Sequence, residues 1–108
     1  MSFNIEVTAF FSKQLKRLVK KFPSLKKEYS ELINSLKENP EQGNKIGNNC
    51  YKIRLSIASK QKGKSGGARV ITHVKVVDTK IYLLSIYDKS EQSDINDKDF
   101  NNWLRDIE

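Results

Sequence analysis

The chain has 108 residues, 37% apolar and 31% charged, with a formal net charge of +7. That length reads as one domain, residues 1–108, with a real but modest core. No apolar run approaches the ~20 residues needed to span a bilayer, so no membrane partner is expected. The start, MSFNIEVTAF, lacks a basic region followed by an apolar block, so no signal peptide is expected either. A lone cysteine, Cys50, cannot form an internal disulfide and fits a reducing cytoplasm. With one Cys and one His, a structural zinc site has no ligands to draw on, and no cofactor is expected.

In chain order, Phe3, Ile5 and Val7 alternate with polar residues and predict a short strand. From Phe11 the period changes. Phe11, Leu15, Leu18, Val19 and Phe22 fall on one face of a helix, with Lys13, Lys16, Arg17, Lys20 and Lys21 around the remainder. Phe22-Pro23 breaks that helix, because a residue before proline is pushed out of the helical region. Either Ser24 caps the next helix or Pro23 sits in its first turn. Leu25, Tyr29, Leu32, Ile33 and Leu36 repeat the helical spacing, giving an αα-hairpin. Asn39-Pro40 and Gly43 end it, and Asn44 to Asn49 reads as loop.

Three strands follow. Tyr51, Ile53, Leu55 and Ile57 alternate with Lys52, Arg54, Ser56 and Ala58; Val70, Thr72, Val74 and Val76 alternate with Arg69, Ile71, His73, Lys75 and Val77; Tyr82, Leu84 and Ile86 alternate with Ile81, Leu83, Ser85, Tyr87 and Lys89. Short connections make these an antiparallel meander. Asn96 then caps a last helix whose apolar face is Phe100, Trp103, Leu104 and Ile107. The expected order is βααβββα, an α+β fold with a largely antiparallel sheet and the helical hairpin on one face.

Strand parity partitions the side chains. If 53/55/57, 70/74/76 and 82/84/86 face the helices, the other face carries Lys52, Arg54, Arg69, His73, Lys75, Tyr87 and Lys89. Ile71 and Leu83 fall there too, so part of that face should be covered. Residues 49–89 hold nine basic and two acidic side chains, whereas residues 90–108 hold two and six. From Cys50 to Arg69 there are six cations and no acid. Such a concentration costs stability through self-repulsion, and a polyphosphate is its first candidate partner.

Other signals are weaker. Gly63-Lys64-Ser65 resembles the end of a phosphate-binding loop, but position 58 is Ala and the segment leads into a strand, so nucleotide hydrolysis is rejected. His73 reads more readily as a hydrogen-bonded structural residue than as a catalytic one. The lysines of the first helix read mainly as a solvated face, Tyr29 and Trp103 as core, and Cys50 as inert.

The element order, with LKRLVKKFPSLKKEYSEL, CYKIRL, GKSGGARVITHV and IYLLSIYDKSEQ, resembles the RelE/ParE superfamily of bacterial type II toxins. The KSGGAR turn and the IYDKSEQ ending are most similar to the HigB/RelE-like branch. The resemblance implies a metal-independent endoribonuclease that cuts messenger RNA on the ribosome. The RNA's 2′-hydroxyl attacks the adjacent phosphate, leaving a cyclic phosphate and a 5′-hydroxyl. It places the catalytic work on Lys52, Arg54, Arg69 and Lys89. Members often carry a tyrosine in the last segment; residues 90–108 have none, and Tyr87 would substitute by stacking on a base. Lys60, Lys62, Lys64, Lys75 and His73 are then the expected RNA contacts. A cognate antitoxin protein, messenger RNA and ribosomal RNA are the implied partners. Two alternatives stand beside this reading: a ParE-like toxin that inhibits gyrase, and a noncatalytic RNA-binding module.

Overall fold

In the computed structural model, residues 2–60 and 66–107 are described. The elements are β1 (Asn4–Val7), α1 (Ala9–Lys21), α2 (Leu25–Glu38), β2 (Asn44–Gly47), β3 (Cys50–Leu55), β4 (Ala68–Lys75), β5 (Lys80–Asp88) and α3 (Asp97–Asp106). The strands form one sheet in the order β1-β5-β4-β3-β2. Among the described residues, β1–β5 is the one parallel pair and the other three are antiparallel.

Local chemistry sets the element boundaries. The Thr8 hydroxyl accepts from the Phe11 amide at 3.2 Å and donates to the Leu83 carbonyl at 2.8 Å. It thus caps α1 and ties the start of the helix to β5. The expected break at Phe22-Pro23 separates α1 from α2. Ser24 does not cap α2: its backbone is already helical and its side chain makes no capping bond. Its hydroxyl instead donates to Glu28 and accepts from the Ser59 amide.

Three details differ from the pattern-based expectation. Asn44–Gly47 is a strand rather than a loop. It joins β3 through Asn48 and Asn49, whose φ angles of 54° and 59° suit a two-residue hairpin turn. β4 stops at Lys75, and Val76–Asp78 form a 3-10 turn closed by left-handed Thr79. Val76 is therefore exposed instead of facing the helices. Finally, the β4–β5 register passes from Ile71↔Ser85 to Thr72↔Leu83, making Leu84 the extra residue of a β-bulge. The bulge reverses the parity of β5 on either side of it.

Two apolar layers result. Facing the hairpin, Phe11, Leu18, Leu25 and Leu36 pack on Ile53, Val70, Ile81, Leu83 and Ile86. On the opposite face, Trp103 of α3 covers Cys50, Ile71, Leu84 and Tyr87. Of the set 82/84/86, only Ile86 faces the hairpin; Tyr82 and Leu84 lie under α3, and Leu83 has changed sides. Gln14 of α1 accepts from the Ser85 hydroxyl and the Ile86 amide, satisfying donors beside the bulge.

Candidate nucleic-acid interface

Four of the expected cations converge at one end of the α3-facing side of the sheet. Arg54 of β3 is paired with Arg69 of β4, which is paired with Tyr87 of β5. Paired residues lie about 4.5–5.5 Å apart at Cα, so the two arginines are immediate neighbours. Lys52 lies two pairs away along β3, on the same face, opposite Ile71. Lys89 follows β5 directly, and its amide donates to the Gly67 carbonyl at 3.0 Å. A side chain at Gly67 would run into the Leu55 carbonyl, so glycine is what lets the chain entering β4 approach β3 this closely.

The four cations differ in their surroundings. Arg54 is exposed and its side chain makes no hydrogen bond or ion pair with a described residue. Arg69 is only 6% exposed, and its Nη1 donates to the Ala68 carbonyl at 3.1 Å. Lys89 Nζ donates to the Ser93 carbonyl at 2.6 Å. Lys52 Nζ meets Asp94 Oδ1 at 3.0 Å. The Lys52 hydrogen bond, followed by that of the Ile95 amide, holds the Asp94 carboxyl below its ordinary range. Asp94 is a site residue that the sequence reading missed; the acidic excess after residue 90 was its only signal.

Tyr87 lies on the expected face but is not available for stacking. It is 3% exposed and belongs to the layer beneath Trp103, and its hydroxyl has no hydrogen-bond partner among the described residues. Burial pushes its pKa up, the Asp94 charge adds to this, and Arg69 opposes it.

The expected RNA contacts do not form one group. Lys62 and Lys64 lie outside the described residues. Lys60, expected on an exposed turn, is instead a structural cation. Its side chain is 7% exposed, pairs with the buried Asp88 carboxylate, donates to Ser90 Oγ at 2.8 Å and lies over the Phe22 ring. His73 and Lys75 sit at the far end of β4, about 13 and 20 Å along the strand from Arg69. His73 Nδ1 is 3.4 Å from Cys50 Sγ, and its ring is 6.2 Å from that of Tyr82. Burial lowers the His73 pKa against the Asn48 backbone hydrogen bond, and the Lys75 charge lowers it further. Lys75 is exposed and pairs with Asp78 at 3.2 Å. Burial pushes the Cys50 thiol up to about 12, a poor setting for a nucleophile.

Among the described residues no three His, Cys, Asp or Glu side chains cluster as a metal site. No described helix is long and apolar enough to cross a membrane.

The fold is similar to that of Escherichia coli RelE. A free RelE mutant with two arginines replaced by alanine matches at TM-score 0.66 and 15% identity, with all of both chains covered. The isolated E. coli RelE toxin matches at TM-score 0.62 and 14% identity, covering 99% of this chain and 100% of that one. The RelBE2 toxin-antitoxin complex of Mycobacterium tuberculosis matches at 0.53 and 12%, covering 82% of this chain and 99% of that one. At such identities the likeness is one of fold. The family model for the RelE toxin of the RelE/RelB toxin-antitoxin system matches residues 7–107. With nearly its whole length so matched, the chain belongs to the RelE toxin family of type II toxin-antitoxin systems.

Proposed function

We propose that this protein is a ribosome-dependent messenger RNA endoribonuclease that works without a metal ion and is silenced by a cognate antitoxin. The observation that carries the proposal is the row of Arg54 and Arg69, flanked by Lys52 and Lys89, at one end of three neighbouring strands. Residues fixed on strands hold a reacting phosphate better than residues on a loop.

In the reaction, the 2′-oxygen forms a bond to the adjacent phosphorus and the bond to the 5′-oxygen breaks. A base takes the 2′-hydroxyl proton and an acid returns one to the leaving 5′-oxygen. The products are a 2′,3′-cyclic phosphate and a 5′-hydroxyl. Arg54 and Arg69 supply donors and charge to the phosphorane. Lys52 and Lys89 are the proton-transfer candidates, because both flank the arginines, Lys52 from within β3 and Lys89 from just past the end of β5. Lys52 must exchange Asp94 for substrate. Both partners are partly exposed, so the exchange costs no more than about 1 kcal/mol.

The family and the toxin-antitoxin complexes among its fold relatives support an antitoxin partner. A segment rich in Asp and Glu would match the basic end and steer encounter. Growth should arrest when this chain is expressed alone and recover when its chromosomal neighbour is co-expressed.

The direct test is incubation with translating ribosomes in magnesium buffer, with no transition metal added, followed by mapping of 5′ ends. Cuts in messenger RNA with 5′-hydroxyl ends are expected. Ribosome binding without cuts would return the noncatalytic module. Arrest through gyrase with intact messenger RNA would return the ParE-like reading.

A further inference from the structure

Asp88 is the buried acid nearest the basic end, and no step of the proposed reaction uses it. It is 1% exposed at the end of β5, opposite Ala68 and one residue before Lys89. Its carboxylate takes Lys60 Nζ and the Ser90 amide, the latter at 3.0 Å, with Lys21 Nζ at 4.0 Å. Burial would raise its pKa. The Lys60 and Ser90 hydrogen bonds and the charges of Lys60 and Lys21 outweigh burial and hold it below the ordinary range. The Asp88 carbonyl also accepts from the Glu91 and Gln92 amides, so this one residue shapes the turn that carries Lys89.

Lys60, the other half of the pair, belongs to a segment anchored from its far side. The Ala58 amide donates to Glu28 Oε2 at 2.6 Å. The Ser24 amide donates to Ser59 Oγ at 3.0 Å, and the Ser59 amide to Ser24 Oγ at 2.9 Å. The chain leaving β3 is thus fixed to the start of α2, and through Lys60 to the end of β5.

A buried ion pair is poor value as a source of stability, since apolar residues of similar size often serve as well or better. Its distinctive contribution is geometric. We infer that the Lys60–Asp88 pair is a positioning clamp that sets the β5 end, and so holds Lys89 in register with Arg69. This inference rests on the endoribonuclease reading for its effect on rate, but not for its effect on structure.

The test compares Asp88→Asn, Lys60→Met and the apolar double variant Lys60→Met/Asp88→Leu. Three readouts are taken: hydrogen exchange at the Lys89 amide, ribosome affinity, and single-turnover cleavage on translating ribosomes. In both single variants Lys89 exchange should rise at least tenfold and cleavage fall at least tenfold, with affinity changing less than threefold. The double variant guards against unfolding. It should melt at or above the wild-type temperature, because no buried charge is left without its partner, yet remain slow in cleavage. If Lys60 is instead a direct RNA contact, Asp88→Asn frees it; binding then strengthens and cleavage stays at the wild-type rate. That result, or unchanged Lys89 exchange in a folded variant, overturns the clamp. If the wild-type protein cuts nothing, the endoribonuclease reading fails, and Lys89 exchange alone still decides whether the pair holds the strand end.

Discussion

The two ends of the α3-facing side of the sheet share strands, parity and basic residues, yet they differ in chemistry. At one end Arg54 and Arg69 are adjacent across β3 and β4, with Lys52 and Lys89 beside them. At the other, His73 lies against a buried thiol and an aromatic ring, and Lys75 is paired with its neighbour Asp78. A count of cations along β4 would treat the two alike. What separates them is how densely like charge is gathered: the first end holds two arginines and two lysines, of which Lys52 pairs with Asp94, whereas the second holds one lysine paired with Asp78 and an imidazole of lowered pKa.

The sharpest way to break this comparison is Arg69→Ala set against His73→Gln. Removing one transition-state donor costs on the order of a hundredfold or more in rate. Arg69→Ala should therefore lose at least that much cleavage while its far-ultraviolet circular dichroism stays unchanged. His73→Gln should retain activity within about threefold. Equal losses in the two variants would erase the distinction between the ends.

Next in size are Lys52→Ala and Lys89→Ala. If either is the base or the acid, cleavage falls by roughly 10²-fold or more. If both only attract RNA, the loss appears in binding, and the salt dependence of affinity flattens by about one counterion for each lysine removed. Measuring affinity against salt concentration alongside the single-turnover rate separates these outcomes.

Asp94→Asn probes the same end in the opposite direction. It releases Lys52 from its carboxylate partner. An exposed pair is worth at most about 1 kcal/mol, so RNA affinity should rise by no more than about fivefold. A fall in affinity would mean that Asp94 is needed to hold Lys52 in place.

Much of the architecture was legible because its periodicities are one-sided. The α1 and α2 stripes have lysines opposite them, so only one face could be buried. β3 alternates charge with Tyr51, Ile53 and Leu55, which left one parity. β5 was different. In IYLLSIYD both parities are apolar, so alternation could not decide between Leu83 and Leu84, and the bulge that settles it depends on pairing with β4. β2 was missed because Ile46 is its one large apolar residue and its hairpin turn is Asn-Asn rather than the stronger Asn-Gly. At the candidate site, strand spacing brought Lys52, Arg54 and Arg69 together on paper. The roles of Lys60, Asp88 and Asp94 were hidden, since their ion pairs join residues 28 and 42 apart in sequence. Charge runs say how many cations are present; contacts across the sheet say which of them are already matched.

The far end yields the smallest effect, a pH dependence of stability. His73 is the only histidine, and burial first, with Lys75 assisting, holds its pKa below the unfolded value. The unfolded chain therefore takes up the proton more readily, and stability rises with pH across the interval between the two values. The contribution is present above the unfolded pKa of about 6.5 and is lost as pH falls toward the folded one. The other shifted groups do not share this window: burial pushes the Cys50 thiol beside His73 up to about 12, and the Asp94 and Asp88 carboxyls at the opposite end lie below the ordinary carboxylate range. Urea unfolding at pH 7.5 and 5.5 should show wild-type protein losing stability on acidification, with His73→Gln losing measurably less. Equal losses would assign the dependence to carboxylates, and would place His73 in a setting no different from that of an exposed imidazole.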